Sequence, residues 1–213
     1  MAYIGTKPAD KPLTSADITD GIITSAKIVD GTIVNADINA SAAIASTKLS
    51  GVASGLTEAD QWRISTDFDI PNSVTVINSG WERSDEPSYS LIGTGMSESS
   101  GIFTFPSTGY YLVTFIAQVA SGNYSSSNSE IHIQVTLDNS SYDRVALGWV
   151  GYKGGANPIS RTTSSCQAII DVTDTANVKV RFTCTDNDNV TIALEGTTVA
   201  NHTSATFIKL GNT

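Results

Sequence analysis

The chain of 213 residues has little basic charge, few cysteines and no long apolar run, and each shortage excludes a class of protein. Only 12 lysines and arginines stand against 21 acidic residues, without a basic cluster, so nucleic acid is not an expected partner. Two cysteines are too few for a disulfide framework. No apolar stretch is long enough to span a bilayer, and residues 1–8 lack the apolar region of a signal peptide. We therefore expect no membrane insertion and synthesis in a cytosol.

Side chains suited to catalysis are scarce as well. The chain has two histidines, no Gly-x-Ser-x-Gly nucleophile motif and no cysteine or histidine spacing typical of zinc sites. His132 alternates with isoleucines in a predicted strand and His202 lies in a predicted loop, so both are expected to be solvated. An enzyme is therefore not expected. Serine and threonine make up about a quarter of the chain, which predicts an all-β protein.

Residues 13–52 form a ten-residue repeat. Three copies, 13–22, 23–32 and 33–42, align without gaps, and a degenerate fourth spans 44–52. A spacing of five between large apolar residues forms no stripe on an α-helix and alternates faces in a strand, so the chain must turn within each repeat, at the Asp-Gly pairs. The apolar residues at the first and sixth places are Leu13, Ile18, Ile23, Ile28, Ile33, Ile38, Ile44 and Leu49.

One copy of this repeat segment carries too few large apolar side chains to bury a core. Several chains wound together would place the repeated isoleucines and leucines on a common axis, which predicts a shaft of several associated chains. A disordered low-complexity linker is the alternative, because the segment is rich in alanine, serine and threonine.

The Ile-x-Ser-Ala-Lys-Ile pattern, as in residues 23–28, resembles repeats in the fibre proteins of tailed bacteriophages, particularly marine ones. Residues 2–8 and 59–63 resemble parts of the same proteins, so the resemblance covers residues 1–65. It implies that the protein belongs to a virion and that residues 1–12 dock onto other phage virion proteins.

Residues 53–65 are predicted to be a linker and short helical junction between the repeats and a C-terminal domain. Small residues fill 51–55, and 56–64 has the pattern of one or two helical turns with Thr57 as N-cap. Trp62 is expected to be an apolar plug at the junction, with stacking on a ligand as the alternative.

In residues 66–213 short β-runs alternate with turn clusters. Apolar and polar residues alternate strictly in 131–135 and 178–182, which is typical of antiparallel sheets with one face on a core. The pattern predicts a β-sandwich or jelly roll. The strand candidates are 74–77, 101–105, 110–119, 130–137, 144–150, 164–172, 177–184, 190–194 and 205–210.

The most specific pattern in this domain is a strand, a Pro-to-Gly turn and a second strand, written Gly101-x-Phe103-x-x-Pro106-x-x-Gly109-x-Tyr111-x-x-x-Phe115. It resembles the C1q/TNF-like domain, and so do residues 171–180 and 204–210. The resemblance implies that 66–213 is a jelly-roll head of the kind that forms compact trimers.

Cys166 and Cys184 lie at equal distances from Thr175, the centre of a predicted hairpin turn, so a symmetric hairpin would place them opposite each other. We favour free thiols in the core, because a protein assembled in a cytosol rarely needs a disulfide. A cross-strand disulfide is the alternative.

Two groups of residues are candidate binding sites. Asp186 and Asp188 offer carboxylates to Ca²⁺, which the C1q/TNF resemblance also supports, with a simple Asx-rich turn as the alternative. No other cofactor is expected. Tyr124, Trp149 and Tyr152, in and beside the polar loops 121–129 and 149–158, are candidates for stacking on sugar rings. The alternatives are core packing for Trp149 and a surface position without function for Tyr152.

These patterns predict a homotrimeric virion fibre of a tailed phage, docked by its N-terminus and carrying a head that adheres to a host-surface glycan. Its many weak sites would combine into avidity. A capsid-decorating fibre is the close alternative. A secreted C1q-like lectin and a polysaccharide depolymerase are more distant ones.

Overall fold

The computed structural model describes residues 14–39, 41–44, 48–49, 55–87, 89–121, 126–153, 160–188 and 192–213. The chain divides into two compact units, Met1–Val52 and Ala53–Thr213. The predicted docking segment 1–12 and Leu13 lie outside the described residues. Within the described residues, no helix has the length and hydropathy needed to cross a bilayer.

The first unit repeats one local structure every ten residues. Short 3₁₀ turns occupy Ser15–Asp17, Ser25–Lys27 and Asn35–Asp37. A backbone hydrogen bond closes each turn, such as the 2.9 Å bond from the Lys27 amide to the Thr24 carbonyl. Between these turns the chain reverses at Gly21 and Gly31, whose φ angles of 76° and 79° require a residue without a Cβ. The turns thus lie at the Asp-Gly pairs, as the repeat predicts.

The apolar residues of the repeats are exposed in this single chain. Ile28 and Ile38 are each 40% exposed and Ile23 and Ile33 are each 55% exposed, and no described residue of this unit is buried. Ile28 and Ile33 line one open groove of about 300 Å³. The described part of the unit therefore has no core of its own, and its winding into a trimeric shaft remains a prediction.

The second unit is a sandwich of antiparallel strands, and each of the nine predicted strands is confirmed. The strands described are β1 Ala59–Ile64, β2 Phe68–Asp69, β3 Thr75–Val76, β4 Trp81–Arg83, β5 Ser97–Ser99, β6 Ile102–Thr104, β7 Gly109–Ser121, β8 Ser126–Thr136, β9 Asp143–Lys153, β10 Ser160–Val172, β11 Lys179–Asp186, β12 Ile192–Leu194 and β13 Ser204–Gly211. Sheet 1 has the order β2-β12-β7-β13-β1-β4, with β10 on the other edge of β7, and sheet 2 has the order β5-β6-β11-β8-β9, with β3 also paired to β11.

Aromatic rings from both sheets fill the centre of the sandwich. Phe115 of β7 and Phe182 of β11 have ring centroids 4.7 Å apart, and Phe103 of β6 lies 5.3 Å from Phe207 of β13. All four are essentially unexposed. The sequence motif around Pro106 accounts for this arrangement, because its turn carries the chain from β6 in sheet 2 to β7 in sheet 1.

The predicted helical junction is wrong, because Ala59–Ile64 is strand β1. It pairs with β13, where Trp62 lies opposite Ala205, and with β4, where Trp62 lies opposite Arg83. The backbone hydrogen bonds to these two neighbouring strands outweigh the local helix propensity of the segment. Trp62 packs edge-on against Phe103, 5.5 Å between centroids, and so belongs to the head core and is not a plug at a junction.

The predicted hairpin that would join the cysteines is also wrong. Cys166 in β10 lies opposite Phe115 of β7, whereas Cys184 in β11 lies opposite Ile131 of β8 and Thr75 of β3. The connection between β10 and β11 crosses from one sheet to the other, so the two residues are not cross-strand neighbours. Both are buried free thiols.

Asp60 of β1 is a buried carboxylate that ties the segment before β5 to sheet 1. It accepts hydrogen bonds from the Tyr89 hydroxyl at 2.7 Å, the Met96 amide at 2.7 Å and the Arg83 Nε at 3.0 Å. Burial acts to raise the pKa of Asp60, but the hydrogen bonds from Arg83, Tyr89 and Trp62 outweigh it, so the pKa lies below its ordinary value.

Arg63, also in β1, is fully buried and is bonded to three carboxylates. Its guanidinium donates to Glu82 and Glu86 at 2.8 Å each and also to Asp85. Burial acts to lower the pKa of Arg63, but the carboxylates outweigh it and raise the pKa. These two networks fix the loops that border sheet 1.

Candidate functional site

The outer face of sheet 1 carries a group of apolar side chains that the single chain does not cover. Ile169 of β10 lies opposite Leu112 of β7, which lies opposite Ile208 of β13, so the three form one row across three strands. Ile169 is 67% exposed. Exposed apolar residues of the same strands extend this row to a patch, here called the apolar face: Tyr110, Leu112, Ile116, Ile169, Ile208 and Leu210. A patch of this kind marks an interaction surface.

A cleft of about 350 Å³ borders the apolar face. Its lining includes Leu137 and Val145, which are exposed at the edge of sheet 2, and it shares Ile169 with the apolar face. Two different apolar surfaces, one on a sheet and one at a sheet edge, therefore meet at Ile169. In a ring of identical copies each interface joins two different surfaces, so the apolar face of one copy can pack against the cleft of its neighbour.

The outer face of sheet 2 is polar and carries one exposed indole. Trp149 of β9 is 56% exposed and lies directly opposite Glu130 of β8. The alternative of core packing for Trp149 is therefore wrong. The neighbour Val150 is the buried residue, since alternate residues of a strand face opposite sides. Trp149 thus remains a candidate binding residue, and β9 is the edge strand of its sheet.

Beside Trp149 lies a cluster of hydrogen-bonded polar side chains, here called the Glu130 cluster. The Glu130 carboxylate contacts His132 Nε2 at 2.9 Å and Arg144 at 3.3 Å, and it accepts a bond from the Asn187 amide at 3.1 Å. Burial acts to raise the pKa of Glu130, but its contacts with His132, Asn187 and Arg144 outweigh it and lower that pKa. The carboxylate is therefore ionised and fixed in position.

The expectation that His132 is solvated is wrong. His132 is 0% exposed, and its Nδ1 lies 2.9 Å from the Thr183 hydroxyl of β11. It lies on the outer face as its alternation predicts, but long neighbouring side chains cover it. His202 is partly exposed, with Nδ1 3.9 Å from Glu195.

The side chains of the other two predicted stacking residues are not part of the described structure. Tyr124 lies outside the described residues. Tyr152 belongs to β9 and its backbone is paired with Ser127 of β8. Both positions therefore stay predictions.

Asp186 and Asp188 lie in different surroundings. Asp186 ends β11 and is buried, accepting a 3.4 Å bond from Ser129, whereas Asp188 lies exposed in the bend that follows. Within the described parts of the chain, no group of three or more acidic, histidine or cysteine side chains could hold a metal ion. The predicted calcium site, which would also need backbone oxygens, and its turn alternative both stay predictions.

Sequence reasoning missed Glu130, Arg144 and Asn187 because they come from three separate strands or strand ends. The sequence did contain one indication of the cluster: Glu130 and His132 are two residues apart, so their side chains lie on the same face of β8. The pairing that adds Arg144 and Asn187 depends on the register of three strands, which single-sequence periodicity does not determine.

Comparison with known proteins identifies the fold of the head. No protein-family model matches the chain, and no curated protein sequence matches it. A solved structure of Eiger TNF from S. frugiperda is similar, with a TM-score of 0.52 and 10% identity, over 73% of this chain and 93% of that chain. A structure of murine APRIL at pH 8.0 has a TM-score of 0.50 and 10% identity, over 72% of this chain and 98% of that chain. The second unit therefore has the TNF-like jelly-roll fold that its sequence motif predicts.

Proposed function

We propose that this protein is a homotrimeric structural fibre of a tailed-phage virion, with its N-terminus docked on the particle and its head adhering to a host-surface glycan. Its role is binding and not catalysis. It is assembled in the host cytoplasm and is located in the virion.

The observation that carries the proposal is the ten-residue period of exposed isoleucines. Ile18, Ile28 and Ile38 recur at one place in successive turns and are 40–42% exposed, yet a short segment with this composition gains stability only by burying them. Association of several copies is the simplest way to do so. The resemblance of the repeat to phage fibre proteins supports a position on the virion.

The apolar face of the head supports the same assembly. Its row of Ile169, Leu112 and Ile208 is too apolar for a surface that stays in water, and the neighbouring cleft at Leu137 and Val145 offers a second surface to an adjacent copy. Contact between two unlike surfaces closes into a ring when the rotation allows it, and three copies form such a ring in a trimer.

Three measurements test the proposal. Sedimentation equilibrium of the full chain should give three times the monomer mass, and labelling with a head-specific antibody should decorate phage particles that carry the protein. Label on tails supports the adhesive fibre, and label on capsids supports a decorating fibre. A monomer at micromolar concentration, or unlabelled particles, would contradict the proposal. Loss of polysaccharide viscosity on incubation with the protein would contradict the non-enzymatic role.

A further inference from the structure

We infer that the outer face of sheet 2 around Trp149 and the Glu130 cluster binds a neutral hexopyranose unit of a surface polysaccharide. The inference rests on the proposed adhesive function and deepens it, because it assigns a site and a class of sugar. Three features of this face carry it: an exposed indole, a glycine beside the indole, and fixed polar groups around it.

Trp149 is an exposed aromatic on a mostly polar surface, with half-buried Leu147 two residues earlier on the same side of β9. It is 56% exposed, and its cross-strand partner is the charged Glu130, in contrast to the apolar face of sheet 1, where isoleucine lies opposite leucine. A protein partner favours a continuous apolar centre. A pyranose instead presents one face of C–H groups to an aromatic ring and a rim of hydroxyls to polar neighbours, which matches a single indole within a polar surface.

The described residues leave space for a ring next to the indole. Gly151 follows two residues after Trp149 on the same side of edge strand β9, and a Cβ placed there would meet no atom of the described residues within 4 Å. Gly151 lies opposite Asn128, which is exposed. A flat ligand can therefore lie along the strand beside Trp149 without moving the backbone.

The Glu130 cluster supplies hydrogen bonds of fixed geometry. The Glu130 side chain is 14% exposed and is held by His132, Arg144 and Asn187, so it offers an oriented acceptor to a sugar hydroxyl. Arg144, 51% exposed, and the exposed Asn187 provide donors at the rim. Such pre-arranged groups reduce the entropy lost on binding.

Charge favours a neutral sugar over an acidic one. Arg144, the cation in contact with Glu130, is already paired with that carboxylate, and Arg181 of the same face donates to Gln134 and stacks on Tyr142. The exposed Asp188 follows Asn187 by one residue, and the whole chain has a net charge of −9. The Asp188 carboxylate would therefore repel a uronic acid here.

The test uses the full-length protein on an array of neutral gluco-, galacto- and manno-configured oligosaccharides with their uronic-acid counterparts. We expect wild type to bind one or more neutral glycans, Trp149→Ala to weaken that binding by about tenfold or more, and Trp149→Phe by about threefold. Asn187→Ala should also weaken it. The matched control is Val199→Ala, which removes a 74% exposed apolar side chain in a loop next to sheet 1, and it should bind as wild type does.

Each variant is also measured by sedimentation, so that a lost sugar site and a lost assembly are distinguished. Weakened binding by an intact oligomer supports the site. Wild-type binding by Trp149→Ala, preference for uronic acids, or no binding to any glycan by intact oligomer overturns it. Iodide quenching of tryptophan fluorescence gives an independent check, because the difference between wild type and Trp149→Phe is the contribution of Trp149. If Trp149 is protected from iodide in the oligomer, it lies in a subunit contact and the inference fails.

Discussion

Asp60 shows how a single charged residue is retained inside the head. Its carboxylate is buried and receives bonds from Arg83, Tyr89 and the Met96 amide, so its cost of desolvation is offset only while all partners remain. We expect Asp60→Asn to destabilise the head by about 2 kcal/mol, because the amide cannot accept from all of them. Urea unfolding measures this. Asp143→Asn, at an exposed position in β9, should leave stability unchanged; equal stabilities for both variants would show that the network contributes little.

The lowered pKa of Asp60 also predicts how the stability of the head changes as the pH falls. Its pKa is lowered in the folded state below the ordinary 3.8, so the stability that it contributes is present above that value and is lost as pH falls through the folded-state pKa. Between about pH 5 and about pH 2, wild type should therefore lose more stability than Asp60→Asn. Urea midpoints across this range measure the difference. Parallel curves for the two proteins would contradict the assigned shift.

The two cysteines should behave as inert core thiols. Burial raises the pKa of Cys166 to about 11 and that of Cys184 to about 12, so at neutral pH neither forms the reactive thiolate. A thiol reagent such as Ellman's should react with neither in the folded protein and with both in denaturant. Alkylation under denaturing conditions should give the same mass with and without reductant, and a difference would reveal the disulfide.

At the scale of elements, the sequence pattern predicted the described strands of eight or more residues and half of those with two or three. β7 buries alternate residues along most of its length and β11 does so from Lys179 to Phe182, so period-two hydrophobicity revealed them. β2, β4 and β5 have two or three residues each and exist only because a neighbour pairs with them. β1 was predicted as helix, because its pairing with β13, some 145 residues away at Gln61–Thr206, is invisible to local propensity.

The repeats offer a prediction at the same scale. Aspartates at Ile28 and Ile38 would place unpaired charges in any shared apolar axis, at a large cost in free energy. The double variant should lose protease resistance in residues 14–49 while the head stays folded. The matched control changes the next residues, Val29 and Asn39, to aspartate, since that repeat position already varies among threonine, valine and asparagine. Wild-type protease resistance in the Ile28/Ile38 variant would show that these side chains do not face a partner.

At the scale of the whole molecule, the sequence predicted a jelly roll but not which surfaces face outward. Trp149 was a candidate from its loop-like surroundings, yet its partners depend on the register of β8, β9 and the end of β11. The apolar face was equally hidden, because Ile169, Leu112 and Ile208 each look like ordinary alternating strand residues. Only the pairing of β10 with β7 and of β7 with β13 brings them into one row.

That row predicts the assembly of the head alone. A fragment covering Ala53–Thr213 keeps β1, which a fragment starting at residue 66 would lose together with Asp60 and Arg63. We expect it to sediment as a trimer at micromolar concentration, and Ile169→Asp to convert it to a monomer with an unchanged circular dichroism spectrum, because an exposed aspartate costs the free monomer little but is buried in the trimer. The control is Val74→Asp, which is 56% exposed and lies beside β3 of the other sheet. If both variants remain trimeric, the head associates through another surface; if the parent fragment is monomeric, the repeats alone hold the three chains together.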